Sequence, residues 1–227
     1  MKEVLNNSIY FGIAITLITY IIGMKLKNKF KLAILNPILI SFLLVILVLT
    51  VFNIDYESYN QGGKYISFLL TPATVCLAIP LYQQLGLLKK NFKAIIIGIS
   101  IGVVTSLSSI FLFSIILNLD HLLYISILPK SITTAIGIGI SEELGGIQTI
   151  TILSILITGI TGNVIGESIC KIFKIKNPIS VGLAMGTSAH AVGTSKALEI
   201  GEIEGAMSSL SIAIAGLLTV VLAPLFL

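Results

Sequence analysis

The chain has 227 residues, 56% of them hydrophobic and only 11% charged, with a mean hydropathy of +1.06. Soluble domains carry about a quarter charged residues, so this balance excludes an ordinary water-soluble core and specifies an all-α, polytopic membrane bundle. The formal charge is +4, but every basic residue is lysine; with no arginine and no aromatic-basic surface, nucleic acid is not an expected partner.

Crossing the hydrocarbon layer takes about 20 apolar residues per helix. The first such stretch is Ser8–Met24, bracketed by Lys2, Glu3 and Lys25. No small-residue cleavage site follows it, so it reads as a retained helix. The run Lys25–Lys31, KLKNKFK, reads as a cytoplasmic loop. Ala33–Phe52 is a second helix, and Asn53–Tyr65 reads as a polar, acidic loop on the outer face. In Ile66–Tyr82 the pairs Thr71-Pro72 and Ile79-Pro80 predict a kinked or broken helix, because each proline removes a backbone donor.

Lys89, Lys90 and Lys93 predict a second cytoplasmic loop ahead of the apolar helix Ala94–Asn118. A short turn, Leu119–His121, leads into Leu122–Gly146, an apolar run interrupted by Pro129, Lys130, hydroxyl side chains and glycines. Helix Gln148–Glu167 ends before Lys171, Lys174 and Lys176. Ser180–Ala206 is again rich in glycine and hydroxyls, and Gly205–Leu227 closes the chain. The sum is about seven or eight membrane segments in a single domain, residues 1–227. Residues 1–64 form a two-helix scaffold, and residues 65–227 a core with interrupted segments at 65–82, 122–146 and 180–206.

The last two interruptions resemble each other. Thr133–Gln148 aligns without gaps on Ala189–Glu204, matching Gly137 with Gly193, Glu143 with Glu199 and Gly145 with Gly201. A looser third copy is Leu77–Gly86. If residues 122–146 cross fully, Lys171–Lys176 falls outside; if they are re-entrant, these lysines join the others inside. In the second case the related segments approach from opposite faces, an inverted-repeat transporter architecture.

Irregular backbone at membrane depth is tolerated only when buried in protein or lining a wet cavity, so any chemistry belongs in these interruptions. In the first, Pro129 suits a helix start and leaves amides free beside Lys130, Ser131, Thr133 and Thr134. An ammonium at depth costs about 2.5–3.5 kcal/mol, so it calls for an anion, a carboxylate neighbour or water; the alternative is snorkelling to the interface. In the second, Thr187, Ser188, Thr194 and Ser195 can donate to a ligand. His190 can bind substrate or carry a proton, or serve as a structural residue. Together these residues predict a site for a small carboxylate, with Lys196, Thr71 and Thr74 as secondary candidates.

Lys196 has Glu199 three residues on and can pair with it. Glu142, Glu143, Glu199, Glu202 and Glu204 suit hydrated helix ends better than ion coupling. The hydroxyls of Thr105–Ser109 and Thr158–Asn163 read as helix–helix contacts. Cys76 and Cys170 lack a metal or redox spacing and read as buried small hydrophobes, so no metal site is expected. No nucleotide, zinc-protease or hydrolase motif occurs, and no nucleophile–base pair can be placed, so an enzyme is not expected.

TPATVCLAIPLY, LPKSITTAIGIGISEELGG and GLAMGTSAHAVGTSKALEIGEIEGA together resemble the LrgB/CidB family, the antiholin-like or murein hydrolase regulators. The resemblance extends over essentially the whole chain. It implies a multi-pass protein of the bacterial cell membrane with a small LrgA/CidA-like membrane partner; a second copy of the chain is a further candidate partner. Two roles are implied: control of peptidoglycan hydrolases and lysis, or, as in plastid relatives that resemble fusions of both components, carriage of a small monocarboxylate. Pyruvate, glycolate, glycerate and lactate are the candidate substrates; no cofactor is implied beyond H⁺ or Na⁺ as a coupling ion. The paired polar interruptions favour carriage.

Overall fold

The computed structural model describes residues 8–30, 35–76 and 78–227, with the side chains of Leu70, Thr71, Thr74, Pro80 and Leu81 outside that description. Every regular element among the described residues is a helix, in order α1 (Ile9–Phe30), α2 (Pro37–Val51), α3 (Tyr56–Phe68), α4 (Leu70–Cys76), α5 (Ala78–Gln83), α6 (Leu85–Ile116), α7 (His121–Ile127), α8 (Thr134–Glu143), α9 (Gln148–Ile172), α10 (Pro178–Ile200) and α11 (Glu202–Leu222), ending in a 3₁₀ turn (Ala223–Phe226). Among the described residues four stretches are long and apolar enough to cross a membrane: α1, α6, α9 and Glu202–Phe226. The other expected segments are shorter or interrupted.

Two compact units divide the chain at Cys76 and Leu77, further along than the expected division after residue 64. In the first unit α1 packs against α2 and α3. Asn36 caps α2 by accepting from the amides of Ile38 (2.8 Å) and Leu39 (3.3 Å), with Pro37 in the first helical position, where its missing N–H costs nothing. Gly12 of α1 and Gly62 of α3 let two backbones touch: a Cβ on Gly62 would lie 2.9 Å from the Gly12 Cα.

Three expected loops are helical instead. Lys25, Lys27 and Lys29 ride on the end of α1, where cations complement the helix dipole; Lys31 lies outside the described residues. Asn53–Tyr65 is mostly α3, which opens at Asp55 with Glu57 in its first turn. Lys89, Lys90 and Lys93 belong to α6, which is kinked at Asn91 (φ −111°) where the side-chain amide donates to the Leu87 carbonyl at 3.0 Å. The expected break at 65–82 is present, as α3, α4 and α5, and Pro72 and Pro80 each sit in a first turn, the position a helix tolerates. The third repeat copy begins on Leu77, outside the described residues. Cys170 is buried, whereas Cys76 lies on an exposed face of α4.

In the second unit the two related segments are helical hairpins. The first enters with α7, turns at Leu128–Thr133 and returns with α8. The Ser126 hydroxyl accepts from the Ile147 amide (2.8 Å), and the Thr151 hydroxyl lies within hydrogen-bond distance of the Ser126 carbonyl (2.8 Å) and the Ser141 hydroxyl (2.7 Å). These three fully buried hydroxyls tie the start of α9 back to α7, so the segment returns to the side it came from. Its helix restarts at Thr134, with Thr133 at the N-cap. Pro129 sits in the turn before it, and the amides of Lys130 and Ile132 are already bonded to the carbonyls of Ile127 and Pro129, so the helix starts at Thr134 rather than at the predicted Pro129.

The second hairpin is α10 itself, reversed at Ala189 and His190. His190 has φ 41° and ψ −137°, a backbone state that favours glycine. Before the bend α10 runs antiparallel to α9: Gly166 faces Met185 and Gly162 faces Ala189. After it the direction inverts: Asn163 donates to the Val192 carbonyl (2.6 Å) and Ser195 (3.1 Å), while Glu167 pairs with Lys196 (2.9 Å). Asn177 and Pro178 start α10 as Asn36 and Pro37 start α2, with the Asn177 side chain accepting from Ile179 at 2.9 Å.

Helix directions follow from the same contacts. Gly98 and Gly102 of α6 face Leu183 and Thr187, so α6 runs parallel to the first limb of α10 and antiparallel to α9. Lys89–Lys93 and Lys171–Lys176 therefore share one end of the unit. The first hairpin opens towards the end opposite these lysines and the second towards the lysine end.

Candidate functional site

The two hairpin tips meet deep in the second unit. Leu128, Pro129, Ser131 and Ile132 from the first, and Thr187 from the second, wall one small pocket of about 10 Å³ with Ser106 of α6 and Thr219 of α11. Beside it lies a cavity of about 970 Å³ between α6, α9 and the first limb of α10, floored by Lys130, Ser131 and Thr187. That is the upper part of the range for small-molecule sites. On α6 its lining runs from Asn91 through Gly98 and Gly102 to Ser106 and Ser109, and at the lysine end it reaches Ile175 and Asn177. The span from Asn91 to Ser109 is roughly 27 Å of helix, so the cavity connects the lysine-bearing end with Lys130.

The polar atoms at the floor are arranged as donors. Lys130 is half-buried, and its Nζ donates to the Ser131 hydroxyl at 3.1 Å; no carboxylate pairs with it among the described residues. Ser106 also donates to Ser131, at 2.9 Å. A hydroxyl oxygen has two acceptor sites, so both are filled and the Ser131 proton is left to point elsewhere. Thr187, 7% exposed, has a buried hydroxyl without any partner among the described residues, and an unpaired buried hydroxyl costs about 1–3 kcal/mol. Its methyl presses on α6 at Gly102, where a Cβ would come within 2.6 Å of it.

Four predicted site residues are thus brought together on the cavity: Lys130, Ser131, Thr187 and Ser188. Ser188 lines it while donating to the Ala184 carbonyl at 2.6 Å. The others lie elsewhere. Thr133 and Thr134 open α8. Thr194 is buried between the His190 carbonyl (3.0 Å) and Ser208 (2.7 Å). Ser195 is exposed and donates to the Val192 carbonyl (2.7 Å). His190, 4% exposed, places Nε2 3.0 Å from the Ile155 carbonyl. A carbonyl only accepts, so Nε2 carries the proton and the ring pins the hairpin tip to α9. Lys196 pairs with Glu167 and, at 3.4 Å, Glu199. The side chains of Thr71 and Thr74 are outside the described residues. Glu142, Glu143, Glu199 and Glu202 are exposed at helix ends, as expected.

The hydroxyls of α6 and α9 were expected as helix contacts, yet Thr105, Ser106, Ser109, Thr158 and Thr161 all line the cavity. Their signal is a four-residue spacing, Gly98, Gly102 and Ser106, which places small and polar groups on one helix face. His190→Ala is expected to lower the melting temperature through the lost Ile155 bond, about 1 kcal/mol, while leaving affinity for a cavity ligand within about twofold. Equilibrium binding alongside thermal unfolding checks this; an affinity loss as large as that of a Lys130 variant would put the imidazole on the ligand.

Comparison with known proteins agrees on one family. The LrgB-like family profile matches residues 16–227. The antiholin-like protein LrgB of Bacillus cereus (strain B4264) is 40% identical over 218 residues, covering 96% of this chain and 95% of that protein. The antiholin-like protein LrgB of Bacillus anthracis (strain A0248) shows the same 40% identity and coverage. No solved structure matches the chain.

Proposed function

This chain belongs to the LrgB-like family of multi-pass bacterial membrane proteins, and on that premise we propose that it carries a small monocarboxylate of the pyruvate, glycolate, glycerate or lactate type. H⁺ or Na⁺ is the proposed coupling ion and a small LrgA/CidA-like membrane protein the proposed partner. One observation carries the reading: an ammonium without a carboxylate neighbour among the described residues sits at the inner end of a cavity of about 970 Å³, where two hairpins of opposite direction meet. Buried cations persist where they are paired or face water or a ligand, and discontinuous helices meeting at depth are how many carriers hold a solute.

The test is uptake of labelled pyruvate, glycolate, glycerate and lactate into proteoliposomes, with and without the partner. Saturable uptake of one of them is expected. Absence of specific uptake for all four in both preparations would sink the reading.

The names of the relatives favour a second reading, and favour it more than the first: an antiholin-like regulator of murein hydrolase activity and lysis. Under it, deleting the protein alters membrane leak or autolysis while no solute is specifically carried, and substitutions on the cavity floor are silent. The two readings are compatible if altered lysis follows from altered carboxylate flux; a transport-dead variant that also loses control of autolysis is the result expected then.

A further inference from the structure

We propose that Ser106 is a positioning residue that turns the Ser131 hydroxyl into a dedicated donor, so that Lys130, Ser131 and Thr187 form a three-donor pocket for one carboxylate group. The proposal rests on the carboxylate reading above and deepens it to the atoms that would select the anion. Three observations support it independently of any family likeness. Ser106 Oγ (2.9 Å) and Lys130 Nζ (3.1 Å) both donate to Ser131 Oγ, which fills its two acceptor sites and leaves its proton outward. Thr187 Oγ1 is buried without a partner among the described residues, in a residue 7% exposed that lines both the cavity and the small pocket next to it. Gly102, one helical turn before Ser106, lets Thr187 approach α6 closely enough to reach that place.

The donor count decides the class of ligand. A carboxylate oxygen accepts and never donates, and two oxygens offer about four acceptor sites. An ammonium and two hydroxyl protons fill three of them with charge-assisted bonds. A cation would meet an ammonium and protons already turned towards it. A neutral amide of the same shape loses one acceptor oxygen and presents N–H groups to donors, so the pocket should reject it.

The test uses the purified full-length chain and reads binding as thermal stabilisation by pyruvate and by its neutral amide, pyruvamide. Wild type, Ser106→Ala, Ser106→Thr, Ser131→Ala and the Ser106→Ala/Ser131→Ala pair are compared, with uptake measured in parallel. Pyruvate should stabilise wild type and pyruvamide should not. Ser106→Ala should weaken pyruvate binding about tenfold, appear in KM rather than the maximal rate, and be restored by Ser106→Thr, which keeps the hydroxyl. The double variant should match Ser131→Ala alone, because Ser106 acts through Ser131.

Wild-type affinity in Ser106→Ala, losses that multiply in the double variant, or equal stabilisation by pyruvamide would each overturn the proposal. Absence of pyruvate binding to wild type overturns it as well. Pyruvate binding with the expected variant pattern but no uptake leaves the pocket standing and removes the transport reading. Uptake that is indifferent to Ser106 does the reverse.

Discussion

Lys130→Ala is expected to lower uptake of the transported carboxylate about 100-fold while leaving the protein folded. A charge-assisted hydrogen bond contributes about 1.5–3 kcal/mol, or 10- to 150-fold in binding, and Lys130 is the only cation on the cavity wall among the described residues. The same residue burdens the fold. Its Nζ has Ser131 as hydrogen-bond partner and no carboxylate among the described residues, so it sits in a low-dielectric region without charge compensation. Lys130→Met keeps the length and removes the charge; its melting temperature should equal or exceed that of wild type as uptake falls. Activity and stability moving in opposite directions separates a ligand-binding lysine from a structural one. Saturable uptake with wild-type KM in both variants would take Lys130 out of the site.

Gly186→Val should have the largest effect on folding. Gly182 and Gly186 are one helical turn apart on the first limb of α10 and press against the backbone of α11. A Cβ on Gly186 would sit 2.8 Å from the Ser208 Cα and 2.8 Å from the Ser211 Cβ, and would also strike the Ser208 carbonyl. Small residues four apart are how helices approach closely in bilayers, where packing replaces the hydrophobic drive. Overpacking a core costs about 1–3 kcal/mol, and here backbone rather than a movable side chain would have to give way. Loss of the monodisperse species in detergent, or a fall in melting temperature of about 6–12 °C, is the expected result, by the usual conversion of about 3 kcal/mol in a chain of this size. Gly139→Val is the control: a Cβ there meets nothing within 4 Å, and its melting temperature should stay near wild type. If both variants behave alike, the α10–α11 contact is not what holds the second hairpin.

The two effects share one cause. Interrupting α10 at His190 and the first hairpin at Pro129–Thr133 gives up helical hydrogen bonds at depth. The freed chain ends are held instead by the hydroxyl cluster of Ser126, Ser141 and Thr151, by the His190–Ile155 bond and by glycine contacts between helices. Changes at those points act on the fold. Changes at Lys130, Ser131 and Thr187 are expected to act on ligand binding instead.

Much of this was written in local composition. Apolar run length demands a membrane, because about 20 residues of hydrocarbon-compatible side chain have no other stable setting. Pro129, Lys130 and the Gly-Thr-Ser clusters mark interruptions, because helix breakers and polar groups at depth need protein or water around them. What local composition cannot carry is direction and pairing. Whether residues 122–146 cross or return depends on Ser126 meeting Ile147, 21 positions along the chain. Whether α10 is a kinked helix or a hairpin depends on Asn163 and Glu167 reaching Val192 and Lys196. His190 and Thr187 stand three residues apart in neighbouring hydroxyl-rich sequence, yet one is spent on the Ile155 carbonyl and the other is left with an open hydroxyl over the cavity. Propensity and hydropathy depend on each residue and its near neighbours, so the sequence by itself determined the solvent and the places where helices fail. Side-chain partners are chosen by helices that pack across the unit, and only that packing decided which polar groups remain free to meet a ligand.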